Sequence, residues 1–273
     1  MPEKPEVVTV SKSLEKSIIG KRITDCYVYW DNIIAYPTTD EFKKKVINQK
    51  INFITTRGKF IVIEMDYDCL LIHLRMEGKF FFRKKGDILN KHEHVEFVLD
   101  NNESFRFHDV RKFGKMYLFS KSEVNLVKPL SQIGLEFDDQ NLTKEYLFEK
   151  ICKKKLPIKT ILLDQSIISG IGNIYADEIL FMSRINPLRR GCDITLDECN
   201  SIIFNTRNIL TKAIKLGGTT IKSFTSSEGV HGLFQNKLLV HGKAGLNCPV
   251  CGTNIIKIKV GGRGTYYCDS CQK

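Results

Sequence analysis

The sequence has no long apolar segment, no secretion leader and no disulfide pattern. Its apolar runs fall short of the roughly 18 residues that a membrane-spanning helix needs, and it opens without a basic stretch followed by an apolar one. Its nine cysteines are an odd number. Four of them form a metal-binding pattern, and the others are scattered: Cys26, Cys69, Cys152, Cys192 and Cys199. We therefore expect a cytoplasmic protein with neither disulfides nor a membrane-spanning segment.

The sequence has fewer acidic residues than basic ones. The chain of 273 residues has 42 Lys and Arg against 31 Asp and Glu, which gives a formal net charge of +11. This excess suits a polyanionic partner, most simply nucleic acid. Lys, Ile and Asn are abundant throughout, as in AT-biased genomes, so the charge alone also fits a generally basic proteome. The length allows two domains and a small module.

The first half of the chain predicts a helix followed by strands. Val7, Val10, Leu14 and Ile18 recur at helical spacing, and this predicts a helix over 5–19. About eight short runs rich in β-branched and aromatic residues follow, with turn signals and no helix between them. They are 23–30, 51–56, 59–66, 69–75, 79–83, 93–99, 104–107 and 116–120. This pattern predicts an antiparallel sandwich or barrel.

The second half is helical and ends in a small module. A linker is expected over 121–142, and a long loop over 217–240 leads to a strand near 237–241. The predicted helices are 143–152, 157–164, 173–183 and 195–216, the last with a capping box formed by Thr195 and Glu198. The class is therefore α+β, with domains at 1–130, 131–236 and 237–273.

The C-terminal module carries a paired CxxC pattern. Cys248 and Cys251 form the first pair, and Cys268 and Cys271 form the second after sixteen intervening residues. This spacing predicts one zinc ion held by four thiolates, and because no coordination position is left open, the zinc is structural. Between the pairs, two short alternating segments predict a β-hairpin with Arg263 at its tip.

The chain begins Met1-Pro2-Glu3. If Met1 is removed, Pro2 carries a free amine, and an α-amino group has a reference pKa near 8 against about 10.4 for lysine. Such an amine is a ready nucleophile, and the neighbouring Glu3 can donate a proton. An ordinary solvated chain end remains the simpler interpretation of these residues alone.

Several separated blocks of sequence resemble the bacterial formamidopyrimidine-DNA glycosylases, which remove oxidised purines from DNA. The blocks are 1–7 (MPEKPEV), 57–59 (RGK), 73–76 (HLRM), 91–94 (KHEH), 111–114 (RKFG), 170–178 (GIGNIYADE), 217–220 (GGTT) and the zinc module. The resemblance implies an N-terminal β-sandwich with a leading helix, a helix–two-turn–helix domain and a four-cysteine zinc finger. These expectations agree with the elements predicted above.

The resemblance also implies a bifunctional glycosylase and lyase. Pro2 would form a Schiff base with the damaged nucleoside, and Glu3 would protonate the sugar ring oxygen. Lys59 would act in β-elimination and Arg263 in δ-elimination. The partner would be double-stranded DNA that contains oxidised purines or abasic sites, bound by a monomer.

The remaining implied residues contact DNA. Met76, Arg111 and Phe113 would fill the gap left by an extruded base, and phosphates would be held by Lys59, His73, Asn173 and Arg263. His92 and Lys154 are further expected contacts, and the lysines from Lys150 to Lys159 would add sequence-independent affinity. Thr219, Lys222 and Ser223 are expected to line the pocket for the damaged base.

Some residues depart from the family pattern. Lys4 stands where Leu is usual, and Val8 where an acidic residue is common. Arg75 stands where Gly is usual, and Glu77 where a small residue is often found. Two alternatives stay open: the related endonuclease VIII type, which prefers oxidised pyrimidines, and a DNA-binding protein without catalysis. Met76, Arg111 and Phe113 argue against the first alternative, and the joint presence of the Pro2, Glu3 and Lys59 side chains argues against the second.

Overall fold

The computed structural model describes residues 1–219 and 232–273. These residues form two compact units, each with its own hydrophobic core. Unit 1 contains Met1–Ser131 and the described residues between Gly217 and Gly232; unit 2 contains Gln132–Leu216 and Leu233–Lys273. The three-domain division stays a prediction. None of the described helices is both long enough and apolar enough to cross a membrane.

Unit 1 is a β-sandwich with a leading helix. In chain order its elements are α1 (Lys4–Ile18), β1 (Ile23–Val28), β2 (Ile34–Tyr36), α2 (Thr39–Val46), β3 (Ile51–Arg57), β4 (Phe60–Met65), β5 (Asp68–His73), β6 (Lys79–Lys84), β7 (Glu93–Leu99), β8 (Glu103–His108) and β9 (Lys115–Ser120). One sheet has the order β1-β7-β8-β6 and the other β2-β9-β5-β4-β3. All neighbours are antiparallel except β2 and β9, which are parallel. The predicted helix buries its apolar positions in the core of this unit.

Two elements of unit 1 were not predicted. Strand β2 has only three residues and ends directly before Pro37, so it is too short to show an alternating pattern. Helix α2 has eight residues, of which only Phe42 and Val46 are buried. It begins at a capping residue, Thr38, whose side chain accepts a hydrogen bond from the Glu41 N–H. Two buried positions in a Lys-rich segment are too few to define a helical period.

The sandwich contains a buried charge cluster. Arg106 on β8 lies opposite Glu96 on β7, and its Nε donates to Glu96 Oε1 at 2.9 Å while Nη1 donates to Glu93 Oε2 at 3.0 Å. Its guanidinium also donates to the carbonyl oxygens of Asp87 and Ile88. Because these charges are paired, every residue of β7 is buried, although two of its seven residues, Glu93 and Glu96, are acidic.

Unit 2 is helical and ends in a hairpin. Its elements are α3 (Lys144–Ile151), α4 (Ile158–Leu162), α5 (Asn173–Met182), α6 (Leu196–Lys215), β10 (Ile256–Val260) and β11 (Arg263–Tyr267). The capping box at the start of α6 is present as predicted. The described part of unit 2 thus contains the four predicted helices, and β10 pairs with β11 as an antiparallel hairpin.

The strand predicted near 237–241 is wrong. A short 3-10 turn covers Phe234–Lys237, and the backbone N–H groups of Leu239, Val240 and His241 all donate to the carboxylate of Glu178 on α5, at 2.8 to 2.9 Å. A strand would pair these groups with a neighbouring strand. Here one buried carboxylate takes that place, so this segment is fixed to α5 and not to a sheet.

Candidate active site and nucleic-acid interface

The N-terminal end of α1 carries the predicted nucleophile and acid. Pro2 and Glu3 are both buried, and Glu3 is the N-cap residue of the helix. Glu3 and Glu6 form a capping box, in which the Glu3 N–H donates to Glu6 Oε2 at 2.8 Å. The residue next to the prospective amine therefore has a fixed backbone position before any substrate binds.

Glu6 has a second role that the sequence analysis missed. Its Oε1 accepts hydrogen bonds from Thr219 N at 2.7 Å and from Thr219 Oγ1 at 3.0 Å. Gly218 has φ +74, and a Cβ on it would lie 2.6 Å from Glu6 Oε1, so a side chain there would strain the backbone and displace Glu6. The spacing of Glu3 and Glu6 was the available signal, since it matches a capping box. Thr219 is thus attached to the start of α1; Lys222 and Ser223 lie outside the described residues.

Lys59 lies in the turn between β3 and β4. Gly58, the other turn residue, has φ +54, and Lys59 is 6% exposed. Lys4 reaches the end of β3, where its Nζ donates to Thr56 Oγ1 at 3.0 Å and to Thr56 O at 3.3 Å. Unit 1 therefore brings the start of α1, which carries Pro2, against the strand that leads into the Lys59 turn.

His73 at the end of β5 is a neutral hydrogen-bond donor. Burial, with the positive charges of Arg75 and Lys59, lowers the pKa of His73 to about 3. Its Nδ1 accepts a hydrogen bond from Arg75 N at 3.0 Å. The proton of the neutral ring is therefore on Nε2, which can donate to a phosphate oxygen. The expected phosphate contact thus needs no positive charge on the ring.

Two loops carry the residues expected to fill the gap in the duplex. Met76 lies in the turn between β5 and β6, and the probe loop (residues 110–114) joins β8 to β9. A Cβ on Gly78 would lie 2.7 Å from Cζ of Phe107, and a Cβ on Gly114 would lie 2.4 Å from the same atom. Both loops therefore approach the buried Phe107 ring within unit 1, and the gap-filling role of Met76, Arg111 and Phe113 stays a prediction.

The probe loop presents its side chains to solvent. Arg111 is exposed and its guanidinium lies 4.9 Å from the centroid of the Phe113 ring, which is itself 48% exposed. His92 lies directly before β7, and its ring is 5.6 Å from that of His108. An exposed aromatic ring and a guanidinium on one loop can enter a base-pair gap and contact an unpaired base.

The four predicted zinc ligands meet in unit 2. The Sγ atoms of Cys248 and Cys271 are 3.9 Å apart, those of Cys251 and Cys268 are 3.4 Å apart, and all four lie within 4.8 Å of one another. Zinc–sulfur bonds of about 2.3 Å in a tetrahedron place the sulfurs about 3.8 Å apart. The cluster therefore fits one zinc ion with four thiolates. All nine cysteines, which lie within the described residues, are free of disulfides.

The hairpin places Arg263 differently from the prediction. The two-residue turn is Gly261-Gly262, and Arg263 is the first residue of β11, paired with Val260. Its side chain is exposed. Asn173 begins α5 as expected, and its Nδ2 donates to the Gly264 carbonyl at 2.9 Å. Unit 2 thus brings Asn173 and Arg263, two of the expected phosphate contacts, to the same strand of the hairpin.

The expected contribution of Lys159 to DNA binding is wrong. Lys159 is fully buried, and its Nζ lies 2.7 Å from Asp177 Oδ1. The same amine donates to Gly264 O at 3.0 Å and to Thr265 Oγ1 at 2.8 Å. Lys159 therefore stabilises the hairpin from the protein interior, where its amine is not accessible to DNA. Lys154, by contrast, follows α3 and is partly exposed.

Three segments of the chain match described domain families. Residues 1–116 match the formamidopyrimidine-DNA glycosylase N-terminal domain and residues 133–225 the formamidopyrimidine-DNA glycosylase H2TH domain. Residues 245–273 match a zinc finger found in FPG and IleRS. The three matches follow the same order as the strands, helices and hairpin of the structure.

Similar proteins cover the whole chain. A formamidopyrimidine-DNA glycosylase of Oceanobacillus iheyensis is 43% identical, covering 100% of this chain and 98% of the relative. The crystal structure of Lactococcus lactis Fpg (MutM) with DNA containing N7-benzyl-Fapy-dG has a TM-score of 0.93 at 36% identity and covers 100% of both chains. A complex of Lactococcus lactis Fpg with abasic-site DNA has a TM-score of 0.93 at 36% identity and covers 99% of each chain. The chain belongs to the formamidopyrimidine-DNA glycosylase family, and it is a bacterial DNA glycosylase and AP lyase of base excision repair.

Proposed function

We propose that this protein excises oxidised purines, 8-oxoguanine and formamidopyrimidines, through a covalent intermediate on Pro2. After removal of Met1, the Pro2 nitrogen attacks C1′ of the damaged nucleotide and the bond from C1′ to the base breaks. Glu3 gives a proton to the ring oxygen O4′, so the sugar opens and an iminium (Schiff base) forms between Pro2 and C1′. The base leaves with the bonding electron pair and takes up the proton that the Pro2 nitrogen loses before the iminium forms.

Strand cleavage follows from the same intermediate. The iminium acidifies the hydrogen on C2′, and water takes up this proton. The electron pair forms a double bond between C2′ and C3′ and the 3′ phosphate leaves in β-elimination, in which Lys59 acts as the acid. Arg263 then assists δ-elimination of the 5′ phosphate, which leaves a one-nucleotide gap. Each step needs only groups of this chain and water, and the zinc ion keeps a structural role because its four thiolates leave no open position.

The DNA contacts divide into positioning and gap filling. His73, Asn173, Lys59 and Arg263 hold phosphates, with His92 and Lys154 as further contacts. Met76, Arg111 and Phe113 occupy the gap left by the extruded nucleotide. We infer that the protein acts as a monomer in the cytoplasm, where the damaged DNA is found and the four zinc-binding thiols stay reduced.

One observation carries the proposal. The start of α1, with a buried Glu3 beside Pro2, is fixed to Thr219 through Glu6 and to the end of β3 through Lys4. A solvated chain end would need none of these contacts. They gather the nucleophile, its acid, the start of the expected lesion loop and the strand leading to Lys59 in unit 1, as the reaction requires.

The test is borohydride trapping on a duplex with 8-oxoguanine opposite cytosine, followed by mass spectrometry of the cross-linked peptide. We expect a reduced adduct on Pro2 of protein that lacks Met1, and a Glu3→Gln variant that traps at least about tenfold less. The matched control is Glu15→Gln, the same change on the exposed side of α1.

Other outcomes point elsewhere. An adduct that forms only with an oxidised pyrimidine would move the protein to the endonuclease VIII type of substrate. No adduct with either lesion, from protein shown to start at Pro2, would leave a DNA-binding protein and reject the proposed chemistry. An adduct on a lysine would keep the reaction class and reject Pro2 as the nucleophile.

A further inference from the structure

A buried carboxylate organises the backbone of the probe loop. Asp109, which is 0% exposed, precedes the loop, and its Oδ1 accepts from Arg111 N at 3.0 Å. Its Oδ2 accepts from Phe113 N at 2.8 Å and from Gly114 N at 2.7 Å. Both carboxylate oxygens are thus occupied by backbone donors of one short loop. Hydrogen bonds to an ionised acceptor are among the strong ones in proteins.

The outer side of the loop is held by an aromatic ring. Lys112 has a left-handed backbone with φ +57, and its Nζ lies 3.9 Å from the centroid of the Trp30 ring. A second contact joins the same two segments, because Lys115 Nζ donates to the carbonyl oxygen of Asn32. The loop is therefore anchored from inside by Asp109 and from outside by Trp30.

We propose that Asp109 and Trp30 are positioning residues that fix the probe loop in one conformation before DNA binds. Arg111 and Phe113 then enter the gap without a separate loop-ordering step, which would otherwise reduce the binding energy available for base extrusion. The inference rests on the proposed function of these two side chains. Neither Asp109 nor Trp30 is among the residues expected to contact DNA.

The inference predicts a separation between two substrates. Excision of 8-oxoguanine requires extrusion of a stacked base, whereas an abasic site has no base to extrude. Loosening the probe loop should therefore impair lesion excision more than cleavage at an abasic site. A merely destabilised protein would lose both activities together, so the ratio of the two rates distinguishes positioning from stability.

The experiment compares Asp109→Asn with Asp66→Asn in single-turnover assays on both duplexes. Asp66 is a suitable control because its carboxylate also accepts a backbone N–H, that of Lys50 at 2.9 Å, in another loop of unit 1. An asparagine at 109 offers one acceptor oxygen and turns an NH₂ group toward backbone donors. We expect the ratio of lesion excision to abasic cleavage to fall about tenfold for Asp109→Asn and to stay unchanged for Asp66→Asn.

A second measurement uses Trp30, the single tryptophan of the chain. Lys112→Met removes the cation from its ring, and Lys112→Arg restores one. We expect acrylamide to quench Trp30 fluorescence more in Asp109→Asn and Lys112→Met than in the wild type, with Lys112→Arg close to the wild type. Lys112→Met should lower the substrate ratio about two- to fivefold.

The outcomes separate the inference from the proposed function. If the wild type excises 8-oxoguanine and the substrate ratio and quenching of Asp109→Asn match those of the wild type, the positioning role is refuted and the proposed function stands. If Asp109→Asn lowers both activities equally, Asp109 is only structural and the inference fails. If the wild type cleaves abasic DNA but excises no oxidised base, the proposed lesion class fails, and fluorescence alone then decides whether the two anchors hold the loop.

Discussion

The buried pair of Lys159 and Asp177 allows a sharp stability prediction. Both side chains have 0% exposure and lie 2.7 Å apart. Changing Lys159 to Met keeps the length of the side chain but leaves the Asp177 carboxylate in the interior without its ammonium. The change also removes the donor to Gly264 O and Thr265 Oγ1. Asp177 keeps two contacts, His241 Nδ1 at 2.7 Å and the Tyr266 N–H at 3.2 Å.

The expected cost follows from these contacts. Removing one partner of a buried ion pair costs roughly 3–5 kcal/mol, because an uncompensated charge remains. The contacts from His241 and the Tyr266 N–H remain on that carboxylate, so we expect the lower end, about 3 kcal/mol. For a unit of this size that corresponds to a decrease in Tm of roughly 6–12 °C.

The assay is urea unfolding followed by far-UV circular dichroism, with Lys155→Met as the control. Lys155 is exposed, so its variant should stay within about 0.5 kcal/mol of the wild type. The double variant Lys159→Met/Asp177→Asn removes the unpaired charge and keeps an acceptor oxygen for His241 and the Tyr266 N–H, so it should recover part of the loss. The reasoning is refuted if Lys159→Met unfolds within about 1 kcal/mol of the wild type, or if the double variant is no more stable than the single one.

Three further predictions concern zinc, pH and one glycine. Removing zinc with a chelator should unfold the hairpin and weaken DNA binding, measured by circular dichroism and fluorescence anisotropy; full binding by metal-free protein would contradict this. The native His73 ring resists protonation down to its pKa of about 3, whereas the unfolded ring takes up a proton below about 6.5. The free energy of unfolding should therefore fall as the pH drops from 6.5 to 4.5, and His73 should account for about 2–3 kcal/mol of this fall. In urea titrations at these two pH values, the His73→Gln variant should lack that contribution. Gly218→Ala should cost about 1–3 kcal/mol and reduce borohydride trapping, since its Cβ would collide with Glu6; wild-type stability and trapping would show that Glu6 can move aside.

Local patterns were predictable, and long-range contacts were not. The zinc ligands follow from two CxxC pairs, because each pair closes within one tight turn. The last long helix was predicted almost to its ends, since its capping box is contained in the four residues from Thr195 to Glu198. The missed features depend on partners far along the chain. Lys159 looked like one more surface lysine, and only the fold places it beside Asp177.

The structure also gives a reason for one departure from the family pattern. Arg75 has φ +55, a left-handed conformation that glycine adopts without strain. The family preference for Gly at this position follows from the backbone, and an arginine is tolerated at a cost of about 1–3 kcal/mol. Lys4 similarly replaces an apolar residue, and its amine is accommodated by Thr56. The sequence could not show how Arg75 and Lys4 are accommodated, because the first depends on a backbone angle and the second on a partner on another element.

The charge cluster around Arg106 limits how this sandwich can evolve. Arg106, Glu93 and Glu96 are almost completely inaccessible to solvent, and an apolar trio of similar volume would fill the same space at comparable stability. If the charged cluster is replaced by the apolar trio one residue at a time, one of the intermediate proteins has an unpaired charge in its interior. Such a charge costs roughly 3–5 kcal/mol. That cost is a large part of the total stability of an ordinary domain. Because Arg106 also holds the carbonyl groups of Asp87 and Ile88, a lineage that crossed this barrier would have to rebuild the loop before β7 as well.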